Sequence, residues 1–251
     1  MEKIGKLKLS AILIVILVSL GLIWSTVWRP HVPSNNSSIR SQDARNDELK
    51  LRAMQVSLPY PSAVGGFIGS TGCRDCHRER FESWHGTFHR TMTQVATTET
   101  VVAPFSNVIL SARNRNYLLT KEGDSFFATM PDPDWEAGAL ANGVDIGKAR
   151  PPTVKLQVVL TTGSHHMQEY WVSSSVKNLL RQIPWVYLIS DRRWVPREDI
   201  FLSPPNSPRH FAVWNDNCVA CHAVAGVPNF DLEKMSVATH VAELGISCEA
   251  C

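Results

Sequence analysis

Cys73-Arg74-Asp75-Cys76-His77 recurs as Cys218-Val219-Ala220-Cys221-His222, and Cys248-Glu249-Ala250-Cys251 repeats its first four positions. All six cysteines of the chain fall in these three pairs. Two thiols set two residues apart and followed at once by histidine can add across the two vinyl groups of one haem, while the imidazole gives the iron its proximal nitrogen. Zinc ribbons and redox dithiols also use Cys-x-x-Cys. Zinc sites place histidine several residues away, however, whereas here it follows the second cysteine directly wherever a following residue exists. The spacing predicts haem c at two complete sites, with Cys73, Cys76, Cys218 and Cys221 as thioether positions and His77 and His222 as proximal ligands. Cys248 and Cys251 supply the cysteines of a third, incomplete site, which reads as a longer protein cut inside its third motif. The competing reading of that pair is an accident of spacing or a disulfide.

An iron held by one histidine offers a second axial position, and four of the nine histidines are candidates for it. His89 lies on a probable helix running from the first motif through Phe81, Trp84 and Phe88, whose apolar spacing is three and four. If that helix is continuous, His89 stands ~18 Å along the axis from His77, so the two serve different haems. Gly86 is the residue able to break it. His165 and His166 are adjacent, and neighbours on an extended chain point apart, so one of them meets a given iron; His166 is preferred, with His165 as a surface or supporting residue. His210 precedes Cys218 by eight residues, and His240 precedes Cys248 by the same interval. Met92 and Met167 are alternative axial ligands, although methionine more often packs. His31 falls in a polar stretch and reads as solvated.

These groups must be positioned by a chain of 251 residues that is 44% hydrophobic and 19% charged, a composition of ordered globular proteins. Its 25 basic and 23 acidic side chains leave a net charge of +2, which gives no footprint for nucleic acid. Residues 1–8 carry Lys3, Lys6 and Lys8, and residues 9–28 carry no charge. Twenty residues as a helix reach about 30 Å, enough to cross a bilayer. Trp24 and Trp28 at the far end suit the interface, and the preceding lysines predict a cytoplasmic N-terminus. Apolar residues continue past the small-x-small triplet Ser19-Leu20-Gly21, which favours an uncleaved signal anchor over a cleaved signal peptide. The expected location is the inner membrane, single-pass, with the folded part in the periplasm, where thiols can be handled for haem attachment.

Residues 29–66 read as a periplasmic spacer, polar and proline-containing, with a short helix at 48–56. Residues 67–98 form the first haem-binding segment. Residues 99–200 lack cysteine and read as a β-rich insert, with strands at Val108–Ala112, Tyr117–Thr120, Ser125–Met130, Val154–Leu160 and Trp185–Ile189. Glu122-Gly123-Asp124 and Asp191-Arg192-Arg193 are the turns, and Met130 to Pro152 reads as a loop. Residues 201–251 hold the second haem-binding segment and the incomplete third motif. The fold class expected is α+β: an N-terminal transmembrane helix, then short haem-bearing helices and loops at both ends of the exported part around a β-rich centre.

Trp84-x-x-Thr87-x-His89 resembles the Trp-x-x-Ser-x-His that follows a haem motif in the multihaem c-type cytochromes of bacterial electron-transfer systems, with Thr87 in the serine position. Gly245-Ile246-Ser247-Cys248-Glu249-Ala250-Cys251 resembles the start of that family's Gly-Ile-x-Cys-Glu-x-Cys-His-Gly segment. The likeness covers both ends of the exported region and is weaker through the middle. It implies that His89 caps a haem other than the one its own motif holds. The function expected is single-electron transfer between redox partner proteins, with no catalytic residue arranged. A carrier is favoured over a catalyst, and two alternatives stay open. One is a multihaem reductase or oxidase acting on a small nitrogen or sulfur compound, which needs an open axial position. The other is a haem-free exported module with disulfides or zinc.

Overall fold

The computed structural model describes residues 57–61, 65–202, 211–231, 233–234 and 236–250. The expected anchor at 9–28, the short helix at 48–56, His31, His210 and Cys251 lie outside the described residues. Among the described residues no helix is long and apolar enough to cross a membrane.

The chain enters through a two-residue strand, β1 (Tyr60–Pro61), and two short helices, α1 (Ser70–Cys73) and α2 (Arg78–His85). A 3-10 turn at Arg90–Met92 leads into β2 (Thr93–Val95). Then come β3 (Val108–Ala112), β4 (Arg115–Glu122), β5 (Ser125–Pro131), helix α3 (Pro133–Ala141) and β6 (Thr153–Thr162). The sheet continues through β7 (Met167–Ser173), β8 (Leu180–Leu188) and β9 (Arg193–Pro196), followed by helix α4 (Arg197–Ile200). A π-helical turn at Trp214–Cys218 runs into α5 (Val219–His222). Five two-residue strands follow, β10 (Ala223–Val224), β11 (Phe230–Asp231), β12 (Ser236–Val237), β13 (His240–Val241) and β14 (Glu243–Leu244), before a 3-10 turn at Cys248–Ala250.

The fold is therefore mixed, a strand-rich, barrel-like sheet with short helices. Strands β3 to β9 pair antiparallel in sequence order, and β2 joins β6 on the edge that β5 also uses, opposite β7. Local chemistry accounts for the pairing. In β4, Arg115, Tyr117 and Leu119 are buried and alternate with more exposed neighbours, a period of two that holds one face inward. Gly123, at φ +59°, closes the β4–β5 hairpin between Glu122 and Ser125. Register shifts at Val158/Leu160 and Glu169/Trp171 add twist to β6 and β7.

That twist brings sequence-distant strands together. Tyr117 on β4 meets Trp185 on β8 at 5.9 Å between ring centroids, and Tyr170 on β7 meets Trp194 on β9 at 5.2 Å. Phe105 lies against Phe126, Tyr170 and Trp194, all edge-on. Leu119, Leu160, Tyr170, Trp171, Leu180, Ile183 and Trp214 are wholly buried in this core. Each such aliphatic side chain contributes about 1.5–3 kcal/mol by leaving water. Arg113, in the β3–β4 turn, pairs with Glu198 and, at 3.1 Å, with Asp199 of α4, so a polar strap links the first hairpin to the end of the sheet.

Two expectations are corrected. The stretch from Met130 to Pro152 contains α3: Asp132 accepts from the N–H groups of Asp134 and Trp135, and Pro133 occupies the first turn where its missing N–H costs nothing. The helix expected to run from the first motif through Phe88 stops at His85. Thr87 Oγ1 donates to the Trp84 carbonyl and Arg90 Nε to the His85 carbonyl, so side chains take up the terminal carbonyls and the chain turns at Gly86. His89 consequently stands off the helix of the first motif.

Candidate cofactor-attachment centre

Both complete motifs adopt a single helical turn. In the first, the His77 N–H donates to the Cys73 carbonyl at 2.9 Å, and in the second, α5 carries Cys221 and His222 directly behind Cys218. Residues three apart on a helical turn are neighbours on one side, so each turn presents its two thiols together. Cys76 and Cys221 are exposed, whereas Cys73 and Cys218 are half-buried. His77 is exposed. His222 is half-buried, and its Nδ1 is buried without a partner.

The three cysteine segments, far apart in sequence, meet on two residues. Gly245 N donates to the His222 carbonyl at 3.0 Å, and Ile246 N donates to the His89 carbonyl at 3.0 Å. The Ile246 carbonyl accepts from Trp84 Nε1 at 2.9 Å. Gly245 has to be glycine here, because its φ is +80° and a Cβ would stand 2.4 Å from the Arg90 carbonyl oxygen. Strand β14 reinforces the junction by pairing with β10, which begins immediately after His222.

A second set of bonds ties the first segment to the third. Glu249 accepts from the N–H groups of Ile68 at 3.1 Å and Gly69 at 2.7 Å, and Glu243 accepts from Ser70 N and Oγ, both at 2.9 Å. These carboxylates satisfy the free N–H groups at the start of α1. Ser70 Oγ in turn accepts from Cys248 N at 3.1 Å, and Cys73 Sγ, one helical turn on, donates to the Gly69 carbonyl at 3.9 Å. Sequence reading missed Glu243, Glu249 and Ser70. Three N–H donors at the start of a helix with no capping side chain of its own are the local signal that a partner is required.

The histidines gather unevenly. The Met92 carbonyl accepts from Gly163 N at 2.8 Å, so the turn carrying His165 and His166 rests on the segment that follows the first motif. Thr91 and Ser164 share a 2.5 Å hydroxyl contact beside it. His165 stacks on Phe88 and on His166, each at 4.0 Å between centroids. The expectation that adjacent histidines splay apart is corrected: they lie in a tight turn between β6 and β7, where successive side chains can stack. His89, His165 and His166 are all exposed near Arg90–Met92. His240 stands elsewhere, on β13, half-buried and tilted against Tyr60 at 5.4 Å.

Two clefts flank this junction. One, of about 370 Å³, is lined by Cys221 with Phe67, Val224, Ile246 and Glu249. The other, of about 290 Å³, lies along α2 and is lined by Phe81, Trp84 and His85 with Arg90 and Glu243. Burial pushes the Cys218 thiol up to about 12, with the nearby Glu169 adding to the effect. Cys73 is also held above the usual thiol range, by burial and then by Cys248, Glu249 and Glu243. Burial lowers the His222 imidazole against the opposing Met92 carbonyl. Among the described residues no three His, Cys, Asp or Glu side chains gather to hold a metal ion; haem iron draws at most two ligands from protein, one on each face. The paired thiols, a half-buried His222 with an unpartnered buried nitrogen, and a cleft opening at Cys221 whose lining sets Phe67, Val224 and Ile246 beside Glu249 fit a covalently bound haem. Comparison with protein-family models, with curated proteins and with solved structures finds no match.

Proposed function

We propose that the chain is a membrane-anchored multihaem c-type cytochrome that passes single electrons in the periplasm. One observation carries the reading: the three Cys-x-x-Cys segments converge on Gly245–Ile246, which is the packing that closely spaced haems require. Haem c, when bound, supplies a one-electron iron couple. Cys73, Cys76, Cys218 and Cys221 would hold it by thioether bonds, and His77 and His222 would provide the proximal nitrogens. Phe67, Val224 and Ile246 would exclude water on the Cys221 side, and Phe81 and Trp84 along α2. His89 and His166 are the preferred candidates for the opposite axial positions, and His240 and His210 are the further ones.

The thiols also speak against a redox dithiol. Reactive Cys-x-x-Cys pairs carry a depressed thiol pKa, and here Cys73 and Cys218 are shifted the other way. For a reductase or oxidase the iron needs an open face, and the exposed His89, His165 and His166 are enough to close it. Intact mass and a haem-stained denaturing gel of the exported protein test the proposal. Two covalent haems per chain are expected. A chain free of haem after expression with a haem-attachment system overturns it, and high-spin five-coordinate iron transfers the reading to the enzyme class.

A further inference from the structure

Cys73 closes α1 and Cys248 opens the terminal 3-10 turn, 175 positions away, yet the Cys248 N–H bonds the Ser70 hydroxyl, one helical turn before Cys73. Five hydrogen bonds that involve neither sulfur fix this approach. Glu249 holds Ile68 N and Gly69 N, Glu243 holds Ser70 N and Oγ, and Ser70 Oγ holds Cys248 N. Ser70 is 1% exposed and Ser247 2%, so the backbone on both sides is anchored. Two thiols brought together by bonds outside themselves are preorganised for a covalent link.

We propose that in the haem-free chain Cys73 and Cys248 form a disulfide that locks the first segment to the third. The oxidant is an exported dithiol-disulfide donor. The thiolate of one cysteine attacks the donor's S–S bond and releases one donor thiol; the other cysteine then attacks the mixed disulfide and releases the second. Two protein S–H bonds are lost and one S–S bond forms, while the donor's disulfide becomes two thiols, so two electrons and two protons balance. Resting on the haem reading, the link has a consequence for loading. Cys73 and Cys248 are withheld until a thiol reductant opens them, whereas Cys218 and Cys221 remain available, so the second motif is filled first.

The test is made on the full chain exported from a host without haem-attachment machinery. Thiols are alkylated under non-reducing denaturing conditions, and the digest is mapped by mass. A Cys73–Cys248 linked peptide that disappears on reduction is expected, and it persists in C76S and in C251S. In C248S, Cys73 becomes alkylated without reductant. Cys73 alkylated in the unreduced wild type, or linked to Cys76, overturns the proposal. Failure of the haem reading registers separately, as a linked peptide present alongside absent haem in a haem-competent host.

Discussion

The barrel-like sheet and the cysteine-bearing end are built on opposite principles. The sheet closes on its own side chains, with Leu119, Leu160, Tyr170, Trp171, Leu180 and Ile183 wholly buried. At the other end α2 buries no residue, and α1 buries only Ser70. Phe67, Ile68 and Phe88 are exposed there. An eight-residue helix without a buried face is marginal in water. What holds the first motif is hydrogen bonding of backbone to Glu243, Glu249 and Trp84, whereas the second is anchored in the core through Trp214 and Val219. The polypeptide thus completes the sheet alone, whereas around the first motif Phe67, Ile68 and Phe88 stay exposed, a surface the proposed haem would cover.

The contrast can be broken from either side. On the sheet side the largest loss is expected at Arg115, whose side chain is 7% exposed and pairs with Glu136 of α3 at 3.0 Å while donating to the Ile146 carbonyl. Arg115→Ala removes a buried ion pair and the donor to the Ile146 carbonyl, and should cost about 3–5 kcal/mol in denaturant unfolding, with haem content per folded chain unchanged. At the junction, Gly245→Ala forces a side chain into a left-handed backbone and against the Arg90 carbonyl. It should cost about 1–3 kcal/mol and, unlike the Arg115 change, disturb the haem absorption bands. A third test reads the sheet by pH. Burial raises Glu169 of β7 to about 7 against the opposing Arg197. A raised carboxyl binds its proton in the folded state where the unfolded chain has lost it, so stability falls as pH rises from about 4.5 to about 7 and is level above. The slope is at most ~1.4 kcal/mol per pH unit. Glu169→Gln should flatten it, and a slope that survives the substitution assigns the titration to another group.

Legibility followed the range of the signal. Val108–Ala112 coincides with β3 and Ser125–Met130 falls on β5, because alternation and the Glu122-Gly123-Asp124 turn act within a few residues. α3 was equally local, yet Asp132-Pro133 as a cap and first-turn pair was passed over for the surrounding glycine and proline. Strand β7 reads poorly because Tyr170, Trp171 and Val172 are all buried, which replaces alternation with a continuous apolar run. In the candidate site, the cysteine pairs and the histidine that follows each complete one were legible from spacing alone. The junction was not, since it joins His89 and His222 to Gly245–Ile246 through backbone groups that every residue carries, and Trp84 through an indole N–H that takes any carbonyl.

The most direct measurement is the pyridine haemochrome count per chain for the exported wild type beside C73S/C76S and C218S/C221S. Two haems in the wild type and one in each variant are predicted, with the far-UV signal of the sheet retained throughout. A wild-type chain without haem, or variants that keep the full count, would contradict the assignment of one haem to each complete motif.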